Sequence, residues 1–214
     1  MTTILKRLGV GFLLVMSLVR TAGADESDRL AQVVAESMDR LVATFEARKN
    51  VYYEDPEEFY RLMEEALASF VDFERIALRV MGRYRRQASE AQIRAFTEVF
   101  KRSLFDAYGK ALVESGKFTV NVRRAVIDAR RSTRASVMVD IRSASGNVYP
   151  VVYSMHQGKD AVWRMENVIV NGVNIGLAFK ERFEQAYLQS QGDIDKVIRE
   201  WKSDVKIETE KPAA

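Results

Sequence analysis

The hydrophobic period changes once along this chain, and that change fixes its fold class. Between residues 28 and 48, Leu30, Val33, Val34, Met38, Leu41, Val42 and Phe45 recur three and four positions apart, the mark of one buried helical face. Asp55-Pro56-Glu57-Glu58 combines a capping side chain, a proline at the first helical position and acids in the first turn, and so predicts a second helix start. Phe73, Ile76, Ala77, Val80, Met81 and Tyr84 predict a third helix. After Ser89-Glu90, a fourth follows from Ile93, Phe96, Phe100, Leu104, Tyr108 and Leu112. Beyond Ser115-Gly116 the period is two: Phe118, Val120 and Val122 alternate with Thr119, Asn121 and Arg123, and Ala135, Val137, Val139 and Ile141 with polar or exposed-type neighbours. Ser145-Gly146-Asn147 and Gln157-Gly158-Lys159-Asp160 are tight turns around a third strand over residues 148–155, and a fourth strand covers 161–170. Turns this short imply an antiparallel meander. Pro150, which has no N–H for the ladder, belongs near a strand start or at an edge. Helices over 175–189 and from 193 to about 204 follow, and 206–214 reads as a disordered polar tail. The fold class is therefore α+β, with N-terminal helices packed on a four-stranded antiparallel β-meander and two C-terminal helices.

The first residues set the compartment. Lys6 and Arg7 precede an apolar stretch over residues 8–19 that ends in Ala22-Gly23-Ala24, the pattern of a secretory signal peptide over 1–24. That apolar stretch is too short to cross a hydrocarbon core about 30 Å thick, so cleavage after Ala24 is expected and the mature chain begins near Asp25. With no cysteine in the sequence, neither lipid attachment at the cleavage site nor a disulfide is available, and stability must come from the core. Residues 25–205, at 47% apolar composition for the whole chain, suit one domain, and a monomer is expected. The formal charge of +3 vanishes with the leader: losing Lys6, Arg7 and Arg20 from 33 basic residues leaves 30, against 30 acidic ones. A neutral chain lacks the global excess of a nucleic-acid binder, so no nucleic-acid partner is expected. Three local clusters remain: Arg83, Arg85 and Arg86; Arg123 and Arg124; and Arg130, Arg131 and Arg134. They read either as solvated charge or as a rim for anionic headgroups or acidic partner proteins. In a regular strand Arg123 and Arg124 would point to opposite faces.

Reaction chemistry is hard to find. The single histidine, His156, lies beside a predicted turn, and no ligand spacing for zinc, glycine-rich phosphate loop or dinucleotide fingerprint is present. Glu57-Glu58 and Glu64-Glu65 sit in helical patterns and read as solvated faces. No catalytic residue, metal or cofactor is expected.

The sheet, however, is too apolar. Tyr149, Val151, Tyr153 and Met155 form one face of the third strand while Val148 and Val152 occupy the other, so both faces should be covered at least in part. Residues 167–179 then run without a charge in a chain that is 29% charged, passing through a Gly172 turn into a helix that repeats Ile175, Phe179, Phe183 and Tyr187. That stripe must be buried.

Residues 71–112 resemble the central signature of the MlaC, or toluene-tolerance, family of periplasmic phospholipid-binding proteins. The matching residues are Val71-Asp72-Phe73, Met81-Gly82, Tyr84-Arg85-Arg86, Ala88-Ser89, Gln92, Phe96, Phe100 and Tyr108. The late segment is also similar to that family, in Trp163, Gly172-Val173, Phe179-Lys180, Arg182-Phe183 and the terminal GDIDKVIREW. Together these cover about residues 70–200. Asn167, Asn171 and Asn174 depart from the Asp, Glu and Ser common there, which bears on the pocket mouth.

The resemblance implies a periplasmic shuttle with phospholipid as cargo and no cofactor. Its partners would be an outer-membrane lipoprotein complex and an inner-membrane ABC transporter of the MCE type, and its acyl chains would lie in an apolar cavity between sheet and helices. At roughly 0.8 kcal/mol per buried methylene, a sixteen-carbon chain gains on the order of 12 kcal/mol gross on leaving water. The cavity is expected to be walled by Val137, Val139, Tyr149, Val151, Tyr153 and Trp163 from the sheet, and by Val168, Val170, Ile175 and Phe179 from the end of the sheet and the helix after it. Phe100, Leu104 and Tyr108 join them from the long helix. Plain core is the alternative for each, because strand parity leaves two choices per strand. Three other readings stay open: a carrier of hopanoid or another polycyclic lipid, a ketosteroid-isomerase-like enzyme with Asp140 as its carboxylate, and an adaptor without ligand.

Overall fold

The computed structural model describes residues 21–203. The expected signal peptide, up to residue 20, and the expected tail lie outside the described residues. Among the described residues no helix is long and apolar enough to cross a membrane.

Helix starts follow the capping chemistry. After α1 (Thr21–Arg48) and a single turn, α2 (Val51–Glu54), the side chain of Asp55 accepts the Glu58 N–H and Pro56 occupies the first position of α3 (Pro56–Leu67). Asp72 accepts the Arg75 N–H at the start of α4 (Phe73–Met81). The apolar pattern to Tyr84 does not run as one helix. Gly82 takes φ +56°, a left-handed value that ends α4, and residues Gly82–Arg86 tighten into a 3-10 turn that still buries Tyr84. Ser89 and Gln92 then form a reciprocal capping box for α5 (Glu90–Glu114).

Five strands, not four, form the antiparallel sheet in sequence order: β1 (Phe118–Asp128), β2 (Arg131–Ser143), β3 (Val148–Gln157), β4 (Trp163–Val170) and β5 (Val173–Asn174). The extra strand follows from Asn171-Gly172. Both take positive φ, 49° and 82°, as a primed two-residue hairpin turn requires, and Val170 pairs with Val173. The turn inside the uncharged run is thus a hairpin turn, and α6 (Ile175–Gln189) starts directly after β5, followed by α7 (Ile194–Glu200).

Two register shifts decide which side chains share a face. One falls between Val122 and Arg124, so Arg123 and Arg124 are both exposed instead of pointing to opposite faces. The other, opposite Ser154 and Met155, leaves Glu166 without a strand partner. Because of it, Trp163 and Met165 on one side of Glu166 and Val168 and Val170 on the other all pack on the inner face.

That inner face meets α1: Leu30, Val34 and Met38 close over Val137, Val139, Val151, Tyr153 and Met155. A second core gathers Val80, Met81, Phe96, Phe100, Phe183 and Trp201 from α4 to α7 and the residue after it. The α3–α4 connection joins the two, since Val71 bridges Met165 in parallel, with Met165 N–H donating to Phe70 O at 2.8 Å and Asp72 N–H to Met165 O at 3.0 Å.

Candidate functional site

Between α5, α6, the α3–α4 connection and β4 lies an apolar cavity of about 300 Å³. Three α5 residues spaced by four, Phe100, Leu104 and Tyr108, line one wall. Ile175 and Phe179, one turn apart on α6, line another, with Val168 and Met165 from β4 and Leu67, Val71, Phe73 and Ile76 from the α3–α4 region. Gly109 of α5 belongs to the wall as well. A Cβ there would stand 3.3 Å from the Tyr60 ring, so the glycine is what lets α3 approach α5 so closely.

The polar groups on this wall are already engaged. Asn167, only 7% exposed, accepts the Gly176 N–H through Oδ1 at 3.0 Å and donates through Nδ2 to Asn174 Oδ1 at 3.1 Å. Asn174 Oδ1 also accepts the Leu177 N–H, capping α6. Two of the three asparagines that depart from the family pattern therefore pin β4 to the start of α6. At the opposite wall the Lys101 ammonium pairs with Glu64 at 2.5 Å and Glu98 at 2.7 Å. Burial works to lower its pKa, and the hydrogen bonds to the two carboxylates outweigh burial and hold it above the ordinary lysine value.

Of the thirteen residues expected from the sequence, the fold brings six to this cavity: Phe100, Leu104, Tyr108, Val168, Ile175 and Phe179. Val137, Val139, Val151 and Tyr153 lie instead in the core beneath α1. There the Tyr153 hydroxyl donates to Met38 Sδ at 3.6 Å, and burial pushes its pKa up to about 12. Trp163 and Val170 are partly buried at the margin of that core, and Tyr149 is half-buried opposite Ile141. Sequence reasoning missed the wall from Leu67 to Ile76 because a helix end, a bridge and a new helix break any single period there. Its visible signs were Phe73 and Ile76 in a helical stripe and Val71-Asp72-Phe73 in the resemblance.

The two groups with possible acid–base chemistry are placed elsewhere. His156 is buried with Nε2 2.9 Å from Asp72 Oδ2, and the other oxygen of Asp72 caps α4, so the pair clasps β3 to that helix. Asp140 lies 3.7 Å from Arg123 and lines no part of the cavity. Among the described residues no three His, Cys, Asp or Glu side chains group as metal ligands. Beside the cavity, Glu166 at the β4 irregularity is 3% exposed and binds three arginines, Arg75, Arg134 and, at 2.9 Å, Arg79.

Residues 35–203 match the model of a family described as MlaC protein. A curated relative, toluene tolerance protein ttg2D of Pseudomonas putida, is 36% identical over 174 residues, which covers 81% of this chain and 80% of the relative. Among solved structures, a Ralstonia solanacearum protein described as a phospholipid-binding protein in complex with a phospholipid superposes with a TM-score of 0.70 at 19% identity. That superposition covers 79% of this chain and 92% of the other, and at this identity it speaks to the fold.

Proposed function

The chain belongs to the MlaC family, and on that premise we propose that it is a periplasmic phospholipid carrier rather than an enzyme. In this reading residues 1–24 export it, and the monomeric mature domain shuttles lipid between an outer-membrane lipoprotein complex and an inner-membrane ABC transporter of the MCE type. The observation that carries the reading is the cavity, whose walls are almost wholly side chains of Leu, Val, Ile, Phe, Met and Tyr and whose polar side chains Lys101 and Asn167 already have partners, Lys101 in Glu64 and Glu98 and Asn167 in Gly176 and Asn174. Such a space offers an acyl chain the roughly 0.8 kcal/mol per methylene that water denies it, and offers a polar metabolite nothing. Its volume of about 300 Å³ stands at the lower end of ligand sites, so loading two chains requires α5 and α6 to part. The phospholipid complex of the Ralstonia protein, which shares the fold, favours a glycerophospholipid over a polycyclic lipid as cargo.

Organic extraction of the purified mature protein followed by mass spectrometry tests this directly. Native mass spectra should show the protein carrying ligand of phospholipid mass. A protein that emerges from cells without lipid, and takes none up from vesicles, is not a carrier.

A further inference from the structure

Resting on the carrier reading, we propose that the cleft beside the apolar cavity is a phosphodiester subsite that holds the cargo's glycerophosphate while its chains lie in the cavity. The cleft measures about 510 Å³ and is lined by five cations, Arg79, Arg83, Arg85, Arg86 and Lys180, and by one carboxylate, Glu166. It shares Ile76, Asn167 and Gly176 with the apolar cavity, so one wall separates greasy space from basic space. A second cleft touches the cavity at Lys101 and Phe105, but there three cations, Arg61, Lys101 and Arg102, face four carboxylates, Glu57, Glu64, Glu98 and Asp106. An anion tethered to chains in the cavity is drawn to the first cleft and repelled from the second.

Not all the cations of the first cleft are spent on carboxylates. Glu166 is saturated by Arg75, Arg79 and Arg134, and Arg83 is held by Glu184. Among the described residues Arg85 and Arg86 hydrogen-bond no carboxylate, and Lys180 hydrogen-bonds none although its charge acts on Glu184. Lys180 lies over the helix break: Gly82, whose φ of +56° favours glycine, leaves the lysine stem room above the turn that carries the arginines, and a Cβ there would stand 3.0 Å from Lys180 Cε. Guanidinium groups grip phosphate oxygens in pairs and an ammonium adds a point charge, a combination suited to a diester at the lip of an apolar slot.

The test loads delipidated mature protein from vesicles containing equal amounts of dipalmitoyl phosphatidylglycerol and dipalmitoylglycerol, which differ only in the headgroup phosphate and its glycerol. Mass spectrometry of the extracted lipid then gives the ratio bound. Wild type should favour the phospholipid by roughly tenfold or more, the worth of one or two charge-assisted hydrogen bonds. In the double variant Arg86→Gln/Lys180→Gln that preference should collapse, while diacylglycerol uptake and thermal unfolding stay at wild-type values. If both lipids load but the ratio is the same in wild type and variant, the subsite is wrong and the carrier reading stands. If neither lipid loads, the carrier reading falls and the subsite with it. Calorimetric titration with inorganic phosphate separates the remaining source: phosphate binding that the variant loses, with an unchanged lipid ratio, would assign the cleft to a free anion and overturn the lipid assignment.

Discussion

Gly176 shows how little room the site leaves for error. A Cβ at this position would lie 2.2 Å from Asn167 Oδ1 and 3.0 Å from its Cγ, well inside contact distance. Asn167 cannot swing aside cheaply, because it is buried and its amide holds both the Gly176 N–H and Asn174. Gly176→Ala should therefore break the Asn167–Gly176 bond, leave a buried amide oxygen unsatisfied and lower stability by about 2 to 3 kcal/mol in urea denaturation. A loss below about 0.5 kcal/mol would mean that the asparagine pair does not pin β4 to α6. Neither partner choice was legible in the sequence. Asn167 and Asn174 stood out only as departures from a family pattern, and their meeting depends on the hairpin at Asn171-Gly172, which returns the chain beside β4 before the helix begins.

At the scale of elements, local chemistry that acts within four residues was readable. Asp55-Pro56, Ser89-Glu90, and the alternation in β1 and β2 all give the elements they announce. What failed were single-residue irregularities, which periodicity averages away. Gly82 cuts a helical stripe, and the irregularity at Glu166 reverses the parity of β4, so that Trp163 and Val168, five positions apart, share a face. The desolvation of buried Glu166 is offset by its three arginines, and Glu166→Gln tests that cluster. A fully buried charge left without its partner costs about 3 to 5 kcal/mol. Here Arg75, Arg79 and Arg134 remain 38%, 46% and 30% exposed, so water relieves part of the loss and about 2 to 3 kcal/mol is expected. The deficit should persist in 0.5 M salt, because the carboxylate is shielded from ions, whereas an exposed pair such as Arg61 and Glu58 would already be screened.

At the scale of the whole molecule, the interior beneath α1 and the one between α5, α6 and β4 look identical in sequence. Alternation puts Val137 and Val139 on an inward face, and a stripe puts Leu104 on one, but neither pattern says whether the space beyond is filled. The answer is set by α1, which closes over the sheet and fills one interior, while the space that α5, α6, the α3–α4 connection and β4 enclose stays open. A tryptophan introduced into each interior should therefore have opposite results. Leu104→Trp adds its bulk to a cavity of about 300 Å³ and should change stability by less than about 1 kcal/mol, while phospholipid recovered from the purified protein falls severalfold. Val137 has no exposed surface and lies against close-packed neighbours, so Val137→Trp must force the sheet and α1 apart. It should cost about 3 kcal/mol or more, yet leave the lipid content of the folded fraction unchanged. Reversed outcomes, with lipid lost at Val137 and stability lost at Leu104, would place the acyl chains under α1 and make the α5–α6 space ordinary core.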